Sequence, residues 1–339
     1  MRGVVDARGA IFFSLALLIG ADAPAQAFEL RGHKDRLFAY PGILSMSQDG
    51  SFEVVAYDKM RDIHKRDVEP ERRVQSKYVS LAVKRKSRLA VHEANGRSIE
   101  TGVTGDYSKA RFAVIFVHGR GGDQRLGMND YTFGGNFNRL KNLVLLNGGA
   151  YLSPTVKSFD DAGAADVREL IIAGRTPVVL ACASMGAIIC SKLANDPTVV
   201  PRLAGMALLG GAPDMGIARS AAVRARMPIV FTHGSLDTVY AWQDQKSVFD
   251  SVRRDVARED RATRDVQRVT DGEITLEELQ GSLTPAPTRR RAYGPRGEAY
   301  DEAGSGAVFM AFSATFLLLG FALVFGTLSL LAAITRLLV

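Results

Sequence analysis

The stretch that most constrains this chain is Pro177 to Ala187, which runs Pro-Val-Val-Leu-Ala-Cys-Ala-Ser-Met-Gly-Ala. Its first half, rich in Val and Leu, suits a strand covered on both faces. The small residues around Ser184 suit a tight turn from that strand into a helix. Such a unit commits the chain to helices layered over a buried, mostly parallel sheet. Ser184 has two readings: it caps the following helix, as serines in that position commonly do, or it stands clear at the sheet edge as a nucleophile. The second follows from Cys182-Ala183-Ser184-Met185-Gly186, which fits the pattern Gly-x-Ser-x-Gly except that a cysteine replaces the first glycine.

Two further stretches repeat the arrangement of an apolar run followed by polar or glycine residues. Phe112 to Val117 leads into His118-Gly119-Arg120-Gly121-Gly122. Glycines there let the backbone fold close to a ligand and turn its N–H groups into a cavity; the plain alternative is a glycine-rich turn. The run beginning at Pro228 leads into His233-Gly234-Ser235-Leu236-Asp237, and an acid just past a parallel strand lies at the same edge as the serine. Asp237 could orient a base or simply cap the helix expected over Trp242 to Val252. Other expected strands are Ser51 to Tyr57, Lys77 to Val83, Arg88 to Glu93, Leu143 to Leu146 and Leu203 to Leu209, with Lys84 to Arg88 as a hairpin turn and helices over Ala164 to Ala173 and Met185 to Ala194. Gly134, Gly135 and Asn136 suit a long loop beside a pocket.

In this order, the three motifs resemble the α/β-hydrolase superfamily, with the secreted esterase, lipase and phospholipase-like members most similar. The resemblance covers roughly Lys77 to Val252. It implies an α/β fold, a mostly parallel central sheet flanked by helices. It also implies that Ser184 is the nucleophile, Asp237 the triad acid, and the backbone N–H groups of Arg120 and Met185 the oxyanion donors. The implied activity is hydrolysis of small-molecule or lipid esters through an acyl-enzyme on Ser184, with no cofactor and no metal.

The base departs from the family pattern. In the family it is a histidine on a loop after the last strand, downstream of the acid. The last histidine here is His233, and His33, His64, His92 and His118 complete the inventory. His118 and His233 match positions that shape the sheet edge, and His33 and His64 precede the expected core. The last strand is missing as well: between Ser251 and Gly306 no run of five apolar residues occurs, and Arg253 to Arg268 is dense with charge. The coincident loss suggests an exchanged C-terminal end. An incomplete triad leaves a second reading, a non-catalytic, membrane-tethered binding or scaffolding protein of hydrolase fold.

Outside that core, residues 1–27 carry Arg2 and Arg8, an apolar run from Ala10 to Gly20, and Ala25-Gln26-Ala27, the marks of a secretory signal peptide. Residues 28–255 are then the hydrolase domain, 256–305 a charged and Pro/Gly/Arg-rich linker, and 306–335 a transmembrane helix without charge, which would hold the domain outside the cytoplasm. The net charge of +7 is spread over mixed runs rather than one basic block, so nucleic acid is not an expected partner. Cys182 and Cys190, the only cysteines, are expected as buried free thiols. Asp271 to Leu279 looks like the second half of a calcium loop, but Gln267 and Val269 stand where oxygen ligands are needed.

Overall fold

The computed structural model describes residues 42–58, 60–68, 73–271, 273, 275 and 308–313. Twelve strands occur among them: β1 (Ile43–Met46), β2 (Phe52–Ala56), β3 (Asp67–Val68), β4 (Arg73–Val74), β5 (Ser87–Ala94), β6 (Arg97–Thr104), β7 (Ala113–Val117), β8 (Ala150–Pro154), β9 (Val178–Ala183), β10 (Leu203–Leu209), β11 (Ile229–Gly234) and β12 (Val308–Ser313). Ten of them form one sheet in the order β1-β2-β12-β11-β10-β9-β7-β8-β6-β5, while β3 and β4 pair separately. The central strands β8, β7, β9, β10 and β11 are parallel, as the buried apolar runs require. Pairing turns antiparallel on both sides of them.

Six helices accompany the sheet: α1 (Gln124–Met128), α2 (Asn136–Leu146), α3 (Asp161–Ala173), α4 (Gly186–Leu193), α5 (Ala221–Arg224) and α6 (Trp242–Thr270). Alternation along β7 sorts the core into two layers. Ala113, Ile115 and Val117 face the layer that holds Val167 and Leu170 of α3, Ile189 of α4 and Phe249 of α6. Val114 and Phe116 face the other, with Phe137, Leu140 and Val144 of α2.

Several expectations are corrected. Leu143 to Leu146 is not a strand but the last turn of α2. Phe137, Leu140 and Val144 recur at helical spacing, and a four-residue apolar run cannot by itself separate strand from buried helix. Within Lys77 to Val83 the structure has a short 3₁₀ turn at Ser76–Tyr78 instead of a strand. Another 3₁₀ turn at Lys84–Lys86 leads into β5, and the hairpin itself closes later, at Asn95 and Gly96. Both of these residues take positive φ, 50° and 73°, as the tight turn between twisted strands needs. The helix starting at Trp242 continues to Thr270, across the boundary expected at residue 255, because its Arg, Asp, Glu and Ala residues tolerate helix well.

The largest correction concerns the C-terminal part. Val308–Ser313 does not begin a membrane helix: it is a strand, inserted antiparallel between β11 and β2, and it fills the place beside β11 that was expected to be missing. Val-Phe-Met-Ala-Phe-Ser is rich in residues that suit a strand, so hydropathy alone was ambiguous. Among the described residues no helix is long and apolar enough to cross a membrane. The remainder of 306–335, the expected signal peptide at 1–27 and all of 276–305 lie outside the described residues. The cysteines are corrected too: Cys182 and Cys190 form a disulfide, with Cα atoms 6.3 Å apart.

Candidate active site

Ser184 sits at the sharp corner between β9 and α4, with φ +53°, a left-handed conformation that costs a non-glycine residue on the order of 1–3 kcal/mol. Its surroundings hold it there. Its N–H donates to the Leu209 carbonyl at 3.0 Å, and its carbonyl accepts from Ala187 and Ala212 N–H, each at 3.1 Å. A Cβ on Gly186 would lie 2.6 Å from the Val117 carbonyl oxygen, so only glycine lets α4 start this close to β7.

The glycine loop after β7 meets the serine from the other side. A Cβ on Gly119 would lie 2.7 Å from Ser184 Cβ, which places the Gly119–Arg120 peptide directly against the nucleophile candidate. His118 fixes the orientation of that peptide. Val156 N–H donates to His118 Nε2 at 3.0 Å, so Nδ1 carries the proton and donates to the Gly119 carbonyl at 2.7 Å. In a trans peptide the N–H points opposite to the C=O. Anchoring the Gly119 carbonyl therefore aims Arg120 N–H, just as anchoring the Ser184 carbonyl aims Met185 N–H. Neither N–H has an acceptor among the described residues. The two residues also touch, Arg120 Nε donating to Met185 Sδ at 3.2 Å.

Asp237 reaches the same rim. Its Oδ1 accepts from Val239 N–H at 2.8 Å and Tyr240 N–H at 3.1 Å, closing a turn ahead of α6 instead of capping that helix. Its Oδ2 faces the rim, 3.5 Å from His233 Nε2. His233 is buried and its Nε2 donates to the Tyr240 carbonyl at 2.8 Å, so it braces the Asp237 turn. Ser184, Met185, Arg120 and Asp237 thus all border one cavity of about 1020 Å³. Phe116, Leu126, Phe137 and Leu209 give it an apolar wall, to which Leu236 and Val239 add.

No imidazole hydrogen-bonds to Ser184 Oγ among the described residues. His118 and His233 are engaged as above, and His92 lies on β5 at the far end of the sheet. His64 follows β2 in a short helical turn, Met60–His64. His33 is outside the described residues.

Sequence reasoning missed two contributors. Tyr57, just past β2, lines the cavity because β2 lies only one strand beyond β12. The other is a polar network on α2 that carries Asn136 and supports the loop bearing Phe133, both cavity residues. In it Lys141 Nζ donates to the Met128 carbonyl at 2.6 Å and pairs with Asp130 at 2.8 Å. Asn138 bonds Asp130 and Ser80, and Asn142 also reaches Ser80. Burial pushes the Lys141 ammonium below its usual range, opposed by the Asp130 carboxylate. The signal was Asn138 and Asn142 at helical spacing beside Lys141, interleaved with the apolar Phe137, Leu140, Leu143 and Val144. Lys141→Met would leave Asp130 without its cation, and an urea unfolding curve is expected to show a loss of about 3–5 kcal/mol.

A serine at a strained strand-to-helix corner, with two aimed N–H groups and an acid on the same sheet rim, is the arrangement that the α/β-hydrolase fold presents. The family model described as Alpha/beta hydrolase family matches residues 114–322, well over half of the sequence, and the chain belongs to that family. No curated protein matches its sequence significantly. Similar solved structures include a thermostable esterase, 15% identical with a TM-score of 0.39, the match covering 52% of each chain. A cold-adapted esterase from an Arctic intertidal metagenomic library is 16% identical with a TM-score of 0.34, covering 49% of this chain and 78% of the other. A monoglyceride lipase from Saccharomyces cerevisiae is 14% identical with a TM-score of 0.29, covering 38% and 46%. This chain therefore spans about half the length of the thermostable esterase.

Proposed function

We propose that the protein hydrolyses carboxylic esters through an acyl-enzyme on Ser184. The observation that carries this is the convergence of Ser184 with two unpartnered, aimed N–H groups at the mouth of a largely apolar cavity. Ser184 Oγ attacks the ester carbonyl carbon, and the oxygen that gains charge lies against Arg120 and Met185 N–H. Collapse of this intermediate breaks the C–O bond to the alcohol, and water then cleaves the acyl-serine. The apolar wall suits an ester of a small molecule with an apolar acyl group.

With no imidazole on Ser184 among the described residues, its proton passes to hydroxide in solvent, and acylation is slow. Oxyanion donors and binding alone retain roughly 10³–10⁴-fold over water. The expected pH profile follows. The rate constant for acylation by p-nitrophenyl butyrate rises about tenfold per pH unit between pH 6 and 9, without the plateau that a titrating imidazole imposes. A plateau above about pH 7 would show that a histidine serves Ser184 after all.

The second reading, a binding protein that uses the old cavity without chemistry, fits the finding that no imidazole hydrogen-bonds to Ser184 Oγ among the described residues. A serine-directed fluorophosphonate separates the two, since binding alone leaves no adduct. The Cys182–Cys190 disulfide supports export of the chain to an oxidising compartment, as the N-terminal segment suggests. Sequencing the mature N-terminus is expected to read from Phe28.

A further inference from the structure

We infer that the Cys182–Cys190 disulfide is a positioning element of the reactive serine, so that acylation is faster in the oxidised protein than in the reduced one; this rests on Ser184 being the nucleophile. The bridge joins residues eight apart, and the ring it closes contains Ser184 and Met185, the serine and one oxyanion donor. One end is immobile: Cys182 lies on β9 in register with Leu208 of β10 and Val117 of β7. The other end is on α4, whose N-cap residue is Met185. Both cysteines are fully buried.

This accounts for the departure from Gly-x-Ser-x-Gly. A glycine at position 182 would allow strand and helix to approach because nothing stands between them. Cys182 instead fills that space with a bond. When a dithiol reductant delivers two electrons and two protons, the S–S bond becomes two thiols and the covalent tie between β9 and α4 is lost. Because β9 is held on both sides, α4 gives way, and Ser184 can then relax from its left-handed conformation.

The test uses the full chain and two readouts: the rate of Ser184 modification by a fluorophosphonate, and hydrogen exchange over residues 183–189. In Cys182→Ala/Cys190→Ala, labelling is expected to slow about 100-fold, the cost of roughly 1 Å of misplacement. Exchange at 183–189 should quicken while β7 and β10 stay protected. Cys182→Gly/Cys190→Ala should recover most of the labelling rate, since glycine restores close approach by the other route. If the alanine pair does not fold, wild type reduced with dithiothreitol and alkylated under native conditions gives the same readouts. Labelling and exchange equal to those of the oxidised protein would overturn the proposal. Faster exchange with no Ser184 adduct in any form, the oxidised wild type included, would instead sink the nucleophile assignment.

Discussion

Ser184→Ala is expected to abolish the initial burst of p-nitrophenol, which in the wild type should approach one equivalent per chain. The burst measures acylation alone, and without the hydroxyl no covalent intermediate forms. Steady-state turnover should fall less steeply, because Arg120 and Met185 N–H remain aimed at the rim and can assist direct attack by water. The two effects therefore separate in a single progress curve read by stopped flow. A burst that survives in Ser184→Ala would mean that another side chain is acylated.

The second large effect is expected at Gly186. A Cβ there would stand 2.6 Å from the Val117 carbonyl oxygen and 2.7 Å from that of His118, both backbone atoms of β7 and its glycine loop. Neither can rotate away, so Gly186→Ala must lift α4 off the sheet. Overpacking of this kind costs about 1–3 kcal/mol, and the upper end is expected because the resisting atoms belong to the central sheet. The Ser184 labelling rate should drop as well, since lifting α4 moves Met185 N–H. Gly42→Ala is the matched control: nothing lies within 4 Å of its Cβ position, and its stability should be unchanged. Equal denaturant midpoints for the two variants would show that the strand-to-helix contact is not as tight as described.

How much of this was legible in the sequence depended on whether local pattern and tertiary role coincided. Ser184, Arg120 and Asp237 each follow a buried apolar run, and parallel strands deliver whatever follows them to one edge, so their convergence could be foreseen from order alone. The role of His118 as a brace also agreed with its motif position. Helix α2 was obscured because its polar residues Asn138, Arg139, Lys141 and Asn142 are buried in a network, so its pattern lacks the usual polar outer face. Strand β12 was obscured because a sheet strand and a membrane helix draw on the same apolar residues. The disulfide was obscured because spacing does not fix pairing: whether Cys182 and Cys190 meet depends on the corner at Ser184, which brings β9 and α4 face to face.

The family assignment and the oxyanion geometry both bear on one claim, that Ser184 is a reactive nucleophile. The most direct measurement treats the oxidised full chain with a fluorophosphonate and maps the adduct by peptide mass spectrometry. One adduct per chain is expected on the peptide containing Ser184, and none in Ser184→Ala. An unmodified Ser184 peptide after prolonged exposure, in protein whose Cys182–Cys190 bridge is intact, would contradict it.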